Sequence, residues 1–246
     1  MISPNLIDPR SVARDVPGLF EIVFPGLTPG LVAHLNATSF ALEGEAVDDE
    51  EVRRCQLGPA LLFEVSCVRA DRLFEQDIDS DSPQSCLAEA WRRQSRFYDA
   101  RYVDFIDDHD WSVACKVGNS LHSALAGECR SRGQPLVVRP LVMGCQWIAG
   151  SCGDYAIGDC IVEVKCIVGN FSGADYRQVL IYWMLSLIAD VEGRGEVWKQ
   201  ALLINPRRKL VVDLDLQNFL TVVGRGATHI EMMQRFLSVV GERMPR

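Results

Sequence analysis

The chain has no apolar run of the roughly 18 residues that a helix needs to cross a lipid bilayer. Its first residues, MISPNLIDPR, contain no basic segment followed by an apolar one, which is the pattern of a secretory signal. The first absence argues against a membrane partner, and the second predicts a cytoplasmic protein. With 246 residues, the chain has the length of one large domain or of a core domain with an added lobe.

A CxxC pair is also missing, although the chain contains nine cysteines, an odd number. Scattered cysteines in a chain without a secretory signal are mostly small buried hydrophobic residues. We therefore expect no disulfide framework, no structural zinc site and no iron–sulfur cluster. The sequence contains no Walker A segment either, so no nucleotide-driven motor is predicted.

Negative charge dominates the chain but is concentrated at one end. The formal net charge is −8, and residues 1–113 hold 10 Lys and Arg against 21 Asp and Glu. Residues 114–210 reverse this balance, with 11 basic and 8 acidic side chains. Such an asymmetry is compatible with a chain in which one part engages a polyanion and the other does not.

The acidic N-terminal part carries mainly helical signals. Thr28-Pro29 has the form of a helix N-cap followed by proline at the first helical position, and Ser82-Pro83 repeats this pattern. The predicted segments are an irregular lead-in over 1–27, a helix from 29 to about 42, a helix over 47–56, a strand or helix over 58–75, and a long helix over 83–106 that DDHD (107–110) ends.

The pattern changes after residue 113, where strands alternate with helices. Pro140 predicts an edge or bent strand in the segment that contains it. The predicted elements are a helix over 116–132, an extended segment over 135–144, strands over 153–158 and 160–167, a buried helix over 175–190, strands over 196–206 and 210–216, and a helix over 228–241. This order predicts a mixed α/β domain with a central sheet between helices. We place the boundary between a helical region, 1–112, and this domain, 113–246.

The strand within GDYAIGDCIVEVKC (153–166) carries charges that an apolar strand does not need for burial. Side chains alternate between faces along a strand, so Glu163 and Lys165 share one face, about 7 Å apart. A tight hairpin that turns at Gly158 and Asp159 places Asp154 opposite the end of the next strand. Two carboxylates and an ammonium group therefore converge.

This convergence predicts a metal-dependent phosphodiester hydrolase. Two hard oxygen ligands on a rigid sheet suit Mg²⁺, which takes its remaining ligands from water and substrate phosphate. The metal lowers the pKa of a bound water and stabilises charge on the phosphoryl oxygens. Asp154 and Glu163 are the predicted metal ligands, and Lys165 is predicted to activate or position the attacking water. A structural ion-pair cluster on an exposed sheet face is the alternative interpretation.

The spacing D-x(8)-E-x-K of these residues resembles the core motif of the PD-(D/E)xK nuclease superfamily. Two further segments resemble motifs of its RecB-like branch, in the order of that branch: GNSLHSAL (118–125) is similar to GxxxHxxL, and QVLIY (178–182) is similar to QxxxY. The resemblance covers about 100 of the 246 residues. The proline that names the superfamily is absent, and Gly153 stands in its place.

The resemblance implies a restriction-endonuclease-like core and a DNA nuclease that uses Mg²⁺ or Mn²⁺. It implies that His122 is a further metal ligand, which would favour Mn²⁺ because imidazole binds Mn²⁺ better than Mg²⁺. It also implies that Gln178 and Tyr182 touch DNA or hold the site lysine, while a buried polar pair is the alternative. By analogy, a nuclease without a motor acts beside other proteins in repair or anti-phage defence.

Basic side chains around this segment are candidate phosphate contacts, and we select Arg177 and Lys116. The same carboxylate site would also serve RNA. A nuclease fold that no longer cuts, and instead binds nucleic acid or a partner protein, is the competing hypothesis. The retained Asp154, Glu163 and Lys165 argue against it. A protein partner or a homodimer is expected, with the acidic N-terminal region as a regulatory or partner-binding lobe.

Overall fold

The computed structural model describes residues 6–16, 18–76, 82–95 and 103–242, which form ten helices and eight strands. The helices are α1 (Pro9–Asp15), α2 (Leu19–Val23), α3 (Pro29–Ala37), α4 (Asp49–Arg53), α5 (Pro59–Glu75), α6 (Pro83–Gln94), α7 (Asp108–Arg132), α8 (Gly173–Val191), α9 (Leu216–Val223) and α10 (His229–Glu242). The strands are β1 (Phe40–Ala41), β2 (Leu136–Val138), β3 (Leu141–Val142), β4 (Ser151–Cys152), β5 (Tyr155–Ile157), β6 (Cys160–Val164), β7 (Gln200–Asn205) and β8 (Leu210–Asp215). None of these helices is both long and apolar enough to span a membrane.

Six strands form one mixed sheet in the order β1-β8-β7-β6-β5-β2. Strand β6 runs parallel to β7, and α8 connects them, as a parallel pair requires a crossover. The other neighbouring pairs in this sheet are antiparallel, and β3 pairs with β4 in a separate two-stranded sheet. The predicted α/β class with a central mixed sheet is confirmed, and β2 lies at the edge with Pro140 just beyond it.

Helices cover both faces of the sheet. Ile161 and Leu203 point into a core built with α8, whereas Val162 and Leu202 point into a core built with α5 and α7. All five residues of β6 are buried. A strand that is covered on both faces is usually apolar along its whole length. Any charged side chain on such a strand is out of contact with water and must be stabilised by other groups of the protein.

Two short helices lie in segment 1–27, which we predicted to be irregular. Asp8 caps α1 by accepting a hydrogen bond from the backbone N–H of Arg10, and Pro9 occupies the first helical position. Ile7 forms a parallel bridge with Ile148, and α1 packs against α8. Helices of five to seven residues are too short to show a 3.6-residue period, so the prediction missed them.

The acidic segment DDHD begins α7, whereas we predicted that it ends a helix. The carboxylate of Asp107 accepts a hydrogen bond from the backbone N–H of Asp110 at 2.7 Å, which makes Asp107 the N-cap. Asp108 and Asp110 occupy the first turn, where negative charge is stabilised by the helix dipole. The acidic segment therefore marks the start of a helix rather than the end of one.

Other elements also differ from the prediction or were left open by it. The undecided segment 58–75 is helical as α5. The helix that begins at Pro29 ends at Ala37 rather than near residue 42, and β1 follows it. The helix predicted over 83–106 ends at Gln94; residues 96–102 lie outside the described ranges, and 103–107 are not helical. Helix α9 was not predicted.

Gly118 lets α7 approach α5 closely. A Cβ atom at this position would lie 2.7 Å from the backbone oxygen of Ser66 and 2.9 Å from Cγ of Arg69. At Gly127 on the same helix, a Cβ atom would meet nothing within 4 Å. The glycine of the GxxxHxxL-like segment is therefore explained by helix packing.

We expect Gly118→Ala to lower the free energy of unfolding by about 1–3 kcal/mol, because the methyl group forces the two helices apart. The matched change Gly127→Ala should raise it by up to about 1 kcal/mol through helix propensity. Urea unfolding followed by circular dichroism measures both. Equal shifts for the two variants would contradict the close packing of α5 on α7.

Candidate active site

The hairpin of β5 and β6 places Asp154 beside Glu163. Tyr155 pairs with Val162 across the hairpin, so the next position on each strand puts Asp154 opposite Glu163. A two-residue turn that contains Gly158, with φ at +59°, sets this register. Residues directly opposite on antiparallel strands point to the same face, so the two carboxylates are neighbours as predicted.

Asp154 is held at the end of the hairpin by its backbone and its side chain. Its backbone oxygen accepts a hydrogen bond from the N–H of Arg139 at 2.9 Å, and Oδ2 accepts one from the N–H of Val164 at 2.8 Å. A Cβ atom at Gly153 would lie 2.8 Å from Ile161 Cδ1 and 3.3 Å from Pro140 Cγ, so a side chain here would have to displace the end of Ile161. Asp154 therefore has a fixed orientation with Oδ1 left for another partner.

Glu163 is a buried carboxylate of which only one oxygen is satisfied. The residue is 3% exposed. Its Oε1 accepts hydrogen bonds from Lys165 Nζ at 2.9 Å and from Gln178 Nε2 at 2.7 Å. Its Oε2 is buried without a hydrogen-bond partner among the residues that the structure describes. A buried carboxylate oxygen without a partner is costly, and a bound cation would relieve that cost.

Gln178 links the acidic residue, the lysine and Tyr182. Its Oε1 accepts a hydrogen bond from Lys165 Nζ at 2.8 Å, and its Nε2 donates to Glu163 and, at 3.0 Å, to the hydroxyl of Tyr182. This amide orientation is the one that chemistry requires, since an ammonium group only donates and a carboxylate only accepts. Gln178 and Tyr182 are both buried, so they hold the charged side chains of the site in place and do not face solvent.

Lys165 is surrounded by acceptors at the carboxyl end of β6. Besides Glu163 and Gln178, the carboxylate of Asp175 lies 3.7 Å from Nζ. Asp175 also accepts from the N–H and from the hydroxyl of Ser172, and the bond from the N–H belongs to a capping box at the start of α8. The helix start that positions Gln178 therefore also supplies a negative charge to the lysine.

The charges of the site act on one another in a low-dielectric environment. Burial, followed by the neighbouring charge of Asp154, raises the pKa of Glu163 to about 7 despite the opposing effect of Lys165. Burial by itself would lower the pKa of Lys165, but the carboxylates of Glu163 and Asp154 outweigh it and the pKa is raised. The lysine thus retains its proton while the carboxyl group loses it with difficulty.

His122 does not lie with these residues. Its ring centroid is 4.6 Å from that of Phe74 near the C-terminal end of α5, and it does not line the cavity that contains Asp154 and Glu163. That cavity is lined by Phe63, from the other end of α5, roughly 16 Å away along the helix axis. Burial, followed by the charges of Arg130 and Arg69, lowers the pKa of His122. We therefore remove His122 from the predicted metal ligands.

The two predicted phosphate contacts lie away from the carboxylates. The guanidinium of Arg177 lies over the ring of Phe20, 5.1 Å from its centroid, and 3.9 Å from Glu21. Lys116 Nζ lies 2.6 Å from Glu51 and lines a different cavity. Neither side chain borders the cavity of Asp154 and Glu163.

Three residues of the site were not predicted. Arg10 donates from Nε to Tyr182 at 3.2 Å and from Nη2 to the backbone oxygen of Cys152 at 3.2 Å. Its Nη2 also lies 3.9 Å from Asp154 Oδ1. Glu64 and Arg139 line the adjoining cavity beside Asp154. A charge within the apolar run LLFEVSCV was a usable signal for Glu64, whereas no pattern marks Arg10 or Arg139.

The cavity at this site has a volume of about 260 Å³. It lies at the carboxyl end of β6, between α1 on one face of the sheet and α5 on the other. Among the residues that the structure describes, no three His, Cys, Asp or Glu side chains form a group that could hold a metal ion. Of the carboxylate oxygens that line this cavity, Asp154 Oδ1 and Glu163 Oε2 accept no hydrogen bond from a described residue.

The chain matches no protein-family model, and it matches neither a curated protein nor a solved structure.

The raised pKa of Glu163 predicts a pH-dependent stability. The folded state holds a proton on Glu163 up to about pH 7, whereas the unfolded chain releases it near pH 4.5. The contribution of Glu163 to the free energy of unfolding is therefore complete below pH 4.5 and is lost as the pH rises through 7. A shift of this size corresponds to about 3 kcal/mol.

We expect the stability of Glu163→Gln relative to the wild type to increase between pH 5 and 8 by up to that amount. The amide keeps an acceptor for Lys165 but does not titrate. Urea unfolding in EDTA at several pH values measures the difference, and other titrating groups, such as Glu64 and Asp71, cancel because both proteins carry them. Parallel curves over this range would contradict the shift.

Proposed function

We propose that the protein is a metal-dependent nuclease with a restriction-endonuclease-like core that hydrolyses phosphodiester bonds of DNA. The observation that carries the proposal is the orphaned Oε2 of Glu163, buried beside Asp154 at the end of an otherwise apolar strand. A purely structural ion pair between Glu163 and Lys165 would not need a second carboxylate opposite it. Two neighbouring carboxylates, one of them buried, favour a cation between them.

The donor set fits a hard divalent ion. Asp154 Oδ1 and Glu163 Oε2 are carboxylate oxygens on adjacent strands, and Mg²⁺ or Mn²⁺ binds such oxygens together with water and substrate phosphate. When bound, such an ion lowers the pKa of a water molecule and offsets charge on the phosphoryl group. The two carboxylates would hold it, and Val164 N–H fixes the orientation of Asp154.

The remaining residues position Lys165. Its ammonium group is held between Glu163 Oε1 and Gln178 Oε1, and Tyr182 fixes Gln178 in turn. From this position Lys165 donates a hydrogen bond to the attacking water or to a phosphoryl oxygen, and its charge stabilises the transition state. In this proposal Gln178 and Tyr182 act through the lysine. Holding the site lysine is one of the two roles expected for the QxxxY-like segment.

A second candidate is a nuclease-fold subunit that binds nucleic acid or a partner protein without cutting. One observation favours it: the guanidinium of Arg10 already lies 3.9 Å from Asp154 Oδ1, where it supplies positive charge without a metal. The two candidates differ in metal affinity. In the nuclease a divalent ion competes with Arg10 for Asp154, whereas in a silent subunit Arg10 remains its permanent partner.

Metal binding can be tested without any substrate. We expect Mn²⁺ or Mg²⁺ to raise the thermal unfolding temperature of the wild type, because a ligand at 100 times its dissociation constant stabilises by about 2.7 kcal/mol. Asp154→Asn should abolish this shift, since the amide can still accept from Val164 N–H but binds the ion poorly. The control Asp159→Asn, at the hairpin turn, should keep it. A shift retained by Asp154→Asn would contradict the proposed ligands.

Cutting tests the reaction itself. Purified protein is incubated with single-stranded, linear and circular DNA in Mg²⁺, Mn²⁺ or EDTA. We expect metal-dependent hydrolysis that Lys165→Ala slows by about 100-fold or more. The matched control Lys199→Ala removes a lysine that is 72% exposed and pairs with Asp159 at the hairpin turn, and it should cut normally. Hydrolysis that survives EDTA or is unchanged in Lys165→Ala would count against the nuclease, and absent hydrolysis would favour the silent subunit.

A further inference from the structure

The cavity at the carboxylates carries no net charge when both carboxyl groups are ionised. The charged side chains that line it are two acids and two bases: Asp154, Glu163, Arg10 and Lys165. The adjoining cavity adds two more of each: Asp8, Glu64, Arg93 and Arg139. Asp175 lies outside this lining, where the N-terminus of α8 offsets its charge. A divalent ion that enters alone therefore leaves the site with an excess of positive charge.

We propose that Arg10 keeps a divalent ion from binding tightly to Asp154 and Glu163 before a substrate phosphate is present. The inference rests on the proposed nuclease function and concerns the regulation of that site. Arg10 supplies a fixed positive charge that repels the ion, and the negative charge of a phosphodiester offsets this repulsion.

The backbone of Arg10 is fixed to the segment that precedes β5. Ile7 donates from its N–H to the backbone oxygen of Trp147 at 3.0 Å and accepts from the N–H of Ala149 at 2.8 Å. Asp8 then accepts from the N–H of Arg10 at 2.7 Å. The start of α1 therefore cannot move away from the site without breaking these hydrogen bonds.

The side chain of Arg10 is held just short of Asp154. Its Nε donates to the hydroxyl of Tyr182, and its Nη2 donates to the backbone oxygen of Cys152, both at 3.2 Å. The distance from Nη2 to Asp154 Oδ1 is 3.9 Å, which is short enough for an ion pair but too long for a hydrogen bond. The guanidinium therefore acts on Asp154 through its charge and leaves Oδ1 able to bind an ion.

The positive charge of Arg10 is permanent. A guanidinium does not lose its proton in a protein. Burial by itself would lower the pKa of Arg10, but its interactions with Tyr182 and Asp154 outweigh burial and raise the pKa. The side chain of Asp154 is only 22% exposed, so water screens the charges around it only in part. An ion that binds Asp154 is therefore always repelled by Arg10.

A phosphodiester changes this balance because it carries a negative charge. Arg10 and Lys165 attract it, and it attracts the ion in turn. Two ligands of opposite charge that bind side by side raise each other's affinity, and by reciprocity the factor is the same for both. The site is thus expected to fill with ion and substrate together rather than with the ion alone.

Metal affinity of the full chain tests this inference without any reaction. Mn²⁺ is titrated into the protein at pH 8, and the free ion is followed by electron paramagnetic resonance. We expect Arg10→Gln to bind Mn²⁺ on the order of tenfold more tightly than the wild type, because the amide removes the repelling charge. Dimethyl phosphate, a phosphodiester without a base, should tighten Mn²⁺ binding by the wild type.

Two further variants separate the charge of Arg10 from its hydrogen bonds. Arg10→Lys keeps the charge but not the geometry of the guanidinium, and it should bind Mn²⁺ as weakly as the wild type does. Arg14→Gln is the matched control, since Arg14 lies one turn later on α1 and is exposed, so that salt and water screen its charge. Its Mn²⁺ affinity should equal that of the wild type.

Four outcomes would overturn the inference: equal Mn²⁺ affinity of wild type and Arg10→Gln, weaker binding by Arg10→Gln, equal gains in Arg10→Gln and Arg10→Lys, or no effect of dimethyl phosphate. Metal-dependent hydrolysis in the cutting assay would leave the nuclease intact in each case. Absence of Mn²⁺ binding in every variant overturns the inference and the nuclease together. Binding by Arg10→Gln alone supports the inference and favours the silent subunit.

Discussion

The buried carboxylate of Glu163 is the constraint around which the rest of the site is arranged. A charge on a strand covered on both faces costs several kcal/mol unless charges and hydrogen bonds surround it. Lys165, Gln178 and Tyr182 form that surrounding on one side, in a chain of contacts in which each group has a complementary partner. On the other side, Asp154 adds a second negative charge instead of relieving the first. A protein that only needed stability would gain by replacing Glu163 and Lys165 with apolar residues.

The site is assembled from segments that are far apart in the chain. The hairpin supplies both carboxylates, α8 supplies the groups that hold the lysine, and α1 and α5 form the walls. Both walls belong to the segment that we assigned to a separate N-terminal region, and β1 from that segment extends the central sheet by pairing with β8. The acidic character of this region is thus compatible with its place beside the site, because Asp110 caps backbone N–H groups of Gln56 and Leu57 and Asp71 binds Arg93 and Tyr155.

The parts of the structure that follow local rules were predictable. Alternation along β6, a glycine at the turn and an apolar run for α8 placed Glu163, Lys165 and Gln178 correctly with respect to one another. His122 shows the opposite case: Gly118, His122 and Leu125 fit a sequence pattern, but the glycine admits α5, the histidine packs on Phe74 and the leucine is buried in the core. Packing alone explains this spacing. The role of Arg10 could not be predicted from the sequence, because it arises from a contact with a residue that is distant in the chain.

The contact between Arg10 and Tyr182 limits how early during synthesis the site can form. Arg10 and the hydroxyl that it binds on Tyr182 are 172 positions apart. At 5–20 residues per second, a ribosome needs roughly 10 to 30 s to synthesise the chain between them. For most of that interval α1 has been synthesised, but β6 and α8, which carry Glu163 and Gln178, have not. The charged centre can therefore be enclosed only once α8 has been synthesised, and a chain truncated before Tyr182 lacks the hydroxyl that Arg10 binds.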